Sequence, residues 1–82
     1  NMEKLVKVCE FMKDDPSHYD YAEYLGELNG YSVYMPVFND RDAHIGFPRY
    51  IFMNDDEIRW AENEEIEEVI ITFIDTEDED ED

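Results

Sequence analysis

Two adjacent residues, Asn29 and Gly30, limit the folds open to this chain more than any others. They separate two strand-like runs, and Asn-Gly is the preferred centre of a type I′ hairpin turn because both central residues there need positive φ. A two-residue turn sets the register across it. Leu28 then faces Tyr31, Gly26 faces Val33, Tyr24 faces Met35 and Ala22 faces Val37, and none of these residues is charged. The opposite face carries Tyr21, Glu23, Leu25 and Glu27 against Phe38, Pro36, Tyr34 and Ser32. Pro36 cannot donate to a ladder, so the returning strand is expected at a sheet edge near its end, or with a bulge. The mixed face reads either as ordinary partial burial or as an aromatic patch for a partner, with Tyr21, Tyr34 and Phe38 as anchors.

A second hairpin is read from Phe47 to Ala61. The apolar runs Tyr50 to Met53 and Ile58 to Ala61 flank Asn54, Asp55, Asp56 and Glu57, the pattern of strand, tight turn and returning strand. With Asp55 and Asp56 at the turn centre, Met53 faces Ile58, Ile51 faces Trp60 and Arg49 faces Glu62 as an opposite-charge pair. The face made by Ile51, Met53, Ile58 and Trp60 is expected to join the uncharged face of the first hairpin beneath a helix. Trp60, the only tryptophan, is then a core residue.

The spacing predicts that helix over Met2 to Lys13. Leu5, Val8, Cys9 and Met12 fall at i, i+3, i+4 and i+7, and Val6 and Phe11 widen the stripe. Asp14, Asp15 and Pro16 end it, because a residue before proline is pushed out of helical geometry. Cys9 lies on the stripe and reads as a small buried hydrophobe, not as a nucleophile. From Glu62 to Asp75 two periods compete. Asn63 suits an N-cap, and Ile66, Val69, Ile70, Phe73 and Ile74 recur at helical spacing; yet VIITFI is β-branched and of strand length. The helix is preferred. The expected fold is α+β: an N-terminal helix packed, one layer on one layer, on a small antiparallel sheet of two consecutive β-hairpins, closed by a C-terminal helix or strand. Residues 1–75 form one domain, and residues 76–82 continue as an acidic, solvated tail.

The net charge of −18 is unevenly spread. Residues 1–50 hold nine acids and five bases, whereas residues 51–82 hold fifteen acids and one base. Such a chain lacks the cations that displace phosphate counterions, so direct nucleic-acid binding is disfavoured, as is an anionic membrane. A basic protein surface is the favoured partner, with Asp55, Asp56, Glu57, Glu64, Glu65, Glu67 and Glu68 as candidate contacts. The single cysteine leaves no internal disulfide and no cysteine zinc site, which fits a reducing compartment. No apolar run reaches the roughly 20 residues of a membrane span, and the first residues form no signal peptide. The expected location is cytoplasmic. Asn1 ahead of Met2 reads as a remnant of tag removal.

Chemistry is sparsely signalled. Asp40, Asp42 and His44 alternate in NDRDAHIG and could present ligand atoms to a divalent metal from an extended loop, but an EF-hand counted from Asp40 misplaces both its glycine and its final glutamate. His18 and His44 with Asp20, Asp40 or Asp42 could form a two-histidine carboxylate centre. Ser17 and His18 are neighbours without a nucleophile elbow, and the three glycines form no phosphate loop, so no catalytic or cofactor-binding residue is assigned. A non-enzymatic interaction or inhibitor-type module follows. Its alternatives are a divalent-metal-binding domain and an accessory module that forms a homodimer through a sheet edge.

Overall fold

The computed structural model describes residues 2–40 and 48–74. Helix α1 (Met2–Lys13) precedes strands β1 (Tyr21–Leu28), β2 (Tyr31–Val37), β3 (Ile51–Met53) and β4 (Ile58–Trp60), and helix α2 (Asn63–Val69) runs into a wider π-helical turn, Ile70–Ile74. The four strands form one antiparallel sheet in the order β1-β2-β3-β4. The fold is α+β, with both expected hairpins in place. No helix among the described residues is long and apolar enough to cross a membrane.

At the first turn Asn29 and Gly30 take φ of 54° and 86°, the left-handed conformation that a type I′ turn needs. Leu28 pairs with Tyr31, Glu27 with Ser32 and Gly26 with Val33, as the turn predicts. The register then shifts. Leu25 is an extra residue, so Tyr24 pairs with Tyr34, Glu23 with Met35, Ala22 with Pro36 and Tyr21 with Val37. A bulge of this kind exchanges the two faces of everything beyond it. Its physical site is Gly26, whose φ of 150° suits no other residue and whose absent Cβ leaves room for Phe73: a Cβ there would lie 2.5 Å from that ring's Cε1. Strand β2 is not an edge, since β3 pairs with Ser32, Val33 and Tyr34; Pro36 is tolerated because it lies beyond that pairing.

The second hairpin keeps its expected register throughout, with Ile51 opposite Trp60, Phe52 opposite Arg59 and Met53 opposite Ile58. Its turn is closed by the Asn54 N–H donating to the Glu57 carbonyl at 2.9 Å. The Asn54 side-chain oxygen also accepts the N–H groups of Asp56 and Glu57, at 2.8 and 2.9 Å. Arg49 departs from expectation. It turns from Glu62 to Asp15, donating at 3.2 Å, and its guanidinium lies 3.8 Å over the Trp60 ring.

The pairing between hairpins, which neither turn dictates, sets Val33 beside Phe52 and Tyr34 beside Ile51. Two cores result. On one face Val8 and Met12 of α1 cover Ala22, Tyr34, Ile51 and Met53, flanked by Trp60, Phe11 and Tyr19. On the other, Val69 of α2 meets Val33, Tyr50 and Phe52, with Ile66, Ile70, Phe73 and Met35 around them. The sheet is therefore covered on both sides, where a single covered face was expected. Tyr31, Val33 and Met35 go to α2, so Ile51, Met53, Ile58 and Trp60 share the α1 side with Tyr34, from the face read as mixed. All three residues of β3 are buried, and each fully buried large side chain contributes about 1.5–3 kcal/mol relative to exposure.

Helix, not strand, prevails after β4 because its start is well capped and its apolar stripe meets a waiting sheet face. The cap is Glu62, one residue before the predicted Asn63. The Glu62 N–H donates to the Glu65 carboxylate at 2.8 Å, which occupies a helix-start donor that would otherwise lack a partner. The stripe then buries Val69 and half-buries Ile66, Ile70 and Phe73, while Ile71 stays 67% exposed.

Candidate functional site

Arg59, the single base of residues 51–82, organises the acidic half. Ile58 and Trp60 face α1, so strand alternation points Arg59 to the α2 side, opposite its pair partner Phe52. There it grips Glu65 with two hydrogen bonds of 2.9 Å each, and its Nε lies 3.7 Å from Glu57. The guanidinium also sits 4.8 Å from the centre of the Tyr31 ring, and the Tyr31 hydroxyl donates to Glu57. Hydrogen bonding from Arg59, above all, holds the Glu65 carboxyl down at about 2, against the opposing effect of burial. Arg59 is held charged in return.

This arrangement divides the predicted acidic contacts. Glu65 is consumed by Arg59 and by the helix start. Glu57 is exposed but shared between Tyr31 and Arg59, and Glu68 accepts a hydrogen bond from the Asn29 side chain at 3.2 Å, which ties α2 to the first hairpin. Asp55 and Asp56 project at the tip of the second hairpin, where Asp55 shares a small cleft with Lys4 and Lys7 of α1. Those lysines lower the local negative potential. Glu64, Glu67 and Glu68 remain exposed on α2, and Glu62 is exposed at its cap. Among the described residues, the least compensated anionic surface is thus the outer side of α2.

The aromatic candidates are not brought into one exposed patch. Tyr34 is buried under α1, Phe38 is half-buried with its ring 4.8 Å from that of Tyr19, and only Tyr21 is exposed. Burial raises the Tyr34 hydroxyl above its ordinary pKa, with the nearby Tyr24 and Glu27 adding to it. Of the metal candidates, Asp42 and His44 lie outside the described residues and Asp40 is exposed. His18 is exposed too, and Asp20 accepts the Asn39 N–H at 2.7 Å, fastening the two ends of the first hairpin. Among the described residues no group of three or more His, Cys, Asp or Glu is placed to hold a metal ion. Cys9 is half-buried on the α1 stripe.

Two arrangements escaped the sequence reading. One is the Arg59 cluster, which strict alternation across β4 could have signalled. The other is the Asp15–Arg49–Trp60 stack, in which burial raises the Asp15 carboxyl but hydrogen bonds from Ser17 and the charge of Arg49 outweigh it and leave the pKa lowered. Beside this stack an open cleft of about 700 Å³ is lined by Pro48, Arg49, Trp60, Asn63, Ile66 and Glu67, among others. Arg49 has no sequence-local signal, because its partner is 34 residues away. No known protein family, no curated protein and no solved structure matches the chain, so the surface itself carries the functional reading.

Proposed function

We propose that this protein is a non-enzymatic binding module that presents the anionic outer side of α2 to a basic protein partner, as an inhibitor or nucleic-acid mimic would. One observation carries the reading: the only base of the C-terminal half is sequestered by Glu65, leaving Glu64, Glu67 and Glu68 at the surface without a compensating cation on their own helix. A surface of uniform sign steers an oppositely charged partner over a Debye length of about 8–10 Å at physiological salt. It repels nucleic acid and anionic lipid.

Binding to a panel of basic proteins at low and high ionic strength tests this. Affinity should fall steeply with salt, and the combined Glu64→Gln, Glu67→Gln, Glu68→Gln variant should lose about tenfold or more at low salt. Glu65 is left intact in that variant because it supports the fold. Affinity that ignores both salt and these substitutions refutes the reading.

A further inference from the structure

β1 is an outermost strand, and among the described residues nothing pairs with its outer side. Alternate residues of such a strand turn their N–H and C=O groups outward, which makes a template for an added strand. Ahead of the bulge, Tyr21–Tyr24 is regular ladder, with Tyr21, Glu23 and Tyr24 exposed and only Ala22 buried. Tyr24 is 54% exposed, with its ring 5.4 Å from that of Tyr34, and Tyr21 is 43% exposed.

The charge along this edge has one sign. From Asp14 to Asp40 the sequence holds six acids and no lysine or arginine. Glu23 and Glu27 are exposed on β1 itself, and Glu68 reaches the end of the strand through Asn29. The end of the strand thus meets the anionic side of α2, and Glu23 lies on that side of the sheet while Glu27, paired with Ser32, lies on the α1 side. A second copy docking antiparallel would bring two acidic edges together, and like charges on facing strands destabilise the pairing. A strand of opposite charge meets the reverse situation.

We propose that the β1 edge takes up an extended basic segment of the partner as a fifth strand, paired along Tyr21–Tyr24. Lysine or arginine heads on the α2 side then reach Glu23, with their aliphatic stems against Tyr21, and the alternate residues of the segment lie against Tyr24 on the α1 side. The proposal rests on the reading of a basic partner and adds how that partner is held. Backbone pairing supplies affinity, and charge selects the chain.

The test uses synthetic eight-residue peptides, matched to β1 in length, alternating lysine with valine. Two further versions carry N-methyl groups on alternate backbone nitrogens, one in each phase, and a fourth replaces lysine by threonine. Calorimetry is paired with amide exchange on the full chain. The parent peptide should bind and slow exchange in β1. Methylation in one phase should weaken it about tenfold or more while the other phase is tolerated, because only one set of N–H groups faces the sheet. Glu23→Lys should weaken binding about tenfold, with Glu23→Gln intermediate, at unchanged melting temperature. If both methylated peptides bind like the parent, or if protection falls on α2 alone, strand addition is overturned and the basic-partner reading survives. If the threonine peptide binds equally, the basic chemistry is wrong. If no peptide binds and the basic proteins also fail, both readings fall. Dimers that protect β1 without peptide would show that the edge pairs with itself, which also overturns the proposal.

Discussion

The β3–β4 hairpin keeps one register from Met53 and Ile58 at its turn to Ile51 and Trp60, and onward to the Ala61 N–H bonded to the Tyr50 carbonyl. The β1–β2 hairpin, whose Asn29-Gly30 turn is the stronger local signal, holds its register for three pairs and then shifts at Leu25. Turn quality does not explain the difference. The short hairpin has its pattern fixed at both ends, by the Asn54 turn and by the buried Ile51–Trp60 pair. The long one must also fit Phe73, 47 positions along the chain from Gly26, and the bulge is where that contact enters. A turn governs the pairs nearest to it, and tertiary packing governs the rest.

The largest expected effect lies at Phe52, where the two hairpins meet. Phe52 is fully buried, pairs with both Val33 and Arg59, and lies 5.3 Å from the Tyr31 ring. Phe52→Ala should cost about 3–5 kcal/mol in urea unfolding, with both hairpins lost in one transition. Separate transitions would mean that the hairpins are independent units.

Next in size is Gly26→Ala, expected to cost about 2 kcal/mol or more from its positive φ and the clash with Phe73. Combining it with Phe73→Leu should recover part of the loss, so the double variant is non-additive. Additivity within about 0.5 kcal/mol would show that Phe73 does not hold the bulge.

Glu65→Gln follows, at about 1–2 kcal/mol for a partly exposed bidentate pair. Its signature is the pH dependence. Glu65 has a folded pKa lowered from 4.5 to about 2, so its contribution is complete above the unfolded value and is lost as pH falls through the folded one. Melting followed between those limits should be flatter in the variant than in the parent, and parallel curves would remove Arg59 as the stabilising partner.

The smallest expected effects lie in the turns. Asn54→Ala should cost about 1 kcal/mol by releasing the Asp56 and Glu57 N–H groups. Asn29→Gly should be nearly neutral, whereas Asn29→Ala should cost about 1 kcal/mol at its positive φ. Thermal melts of the three variants measure this, and a costly Asn29→Gly would show that the Asn29 bond to Glu68, not the turn, is what matters there.

After β4 the helix and strand periods compete, and the capped start and the waiting sheet face decide for the helix. Local sequence set α1 to the residue, both turn centres and the pairs beside them, because each depends on neighbours a few positions apart. It also determined the anionic character of the C-terminal half. Tertiary structure alone decided which residues of the first hairpin face which helix, since that follows from the Val33–Phe52 pairing and the bulge at Leu25. It decided as well that Glu65 belongs to the fold, while Glu64 and Glu67 belong to the surface. Charge can be counted along a chain, but compensation depends on which cation is near in space. Here the choice falls to Arg59, aimed at α2 by strand alternation and held there by the Tyr31 and Phe52 rings.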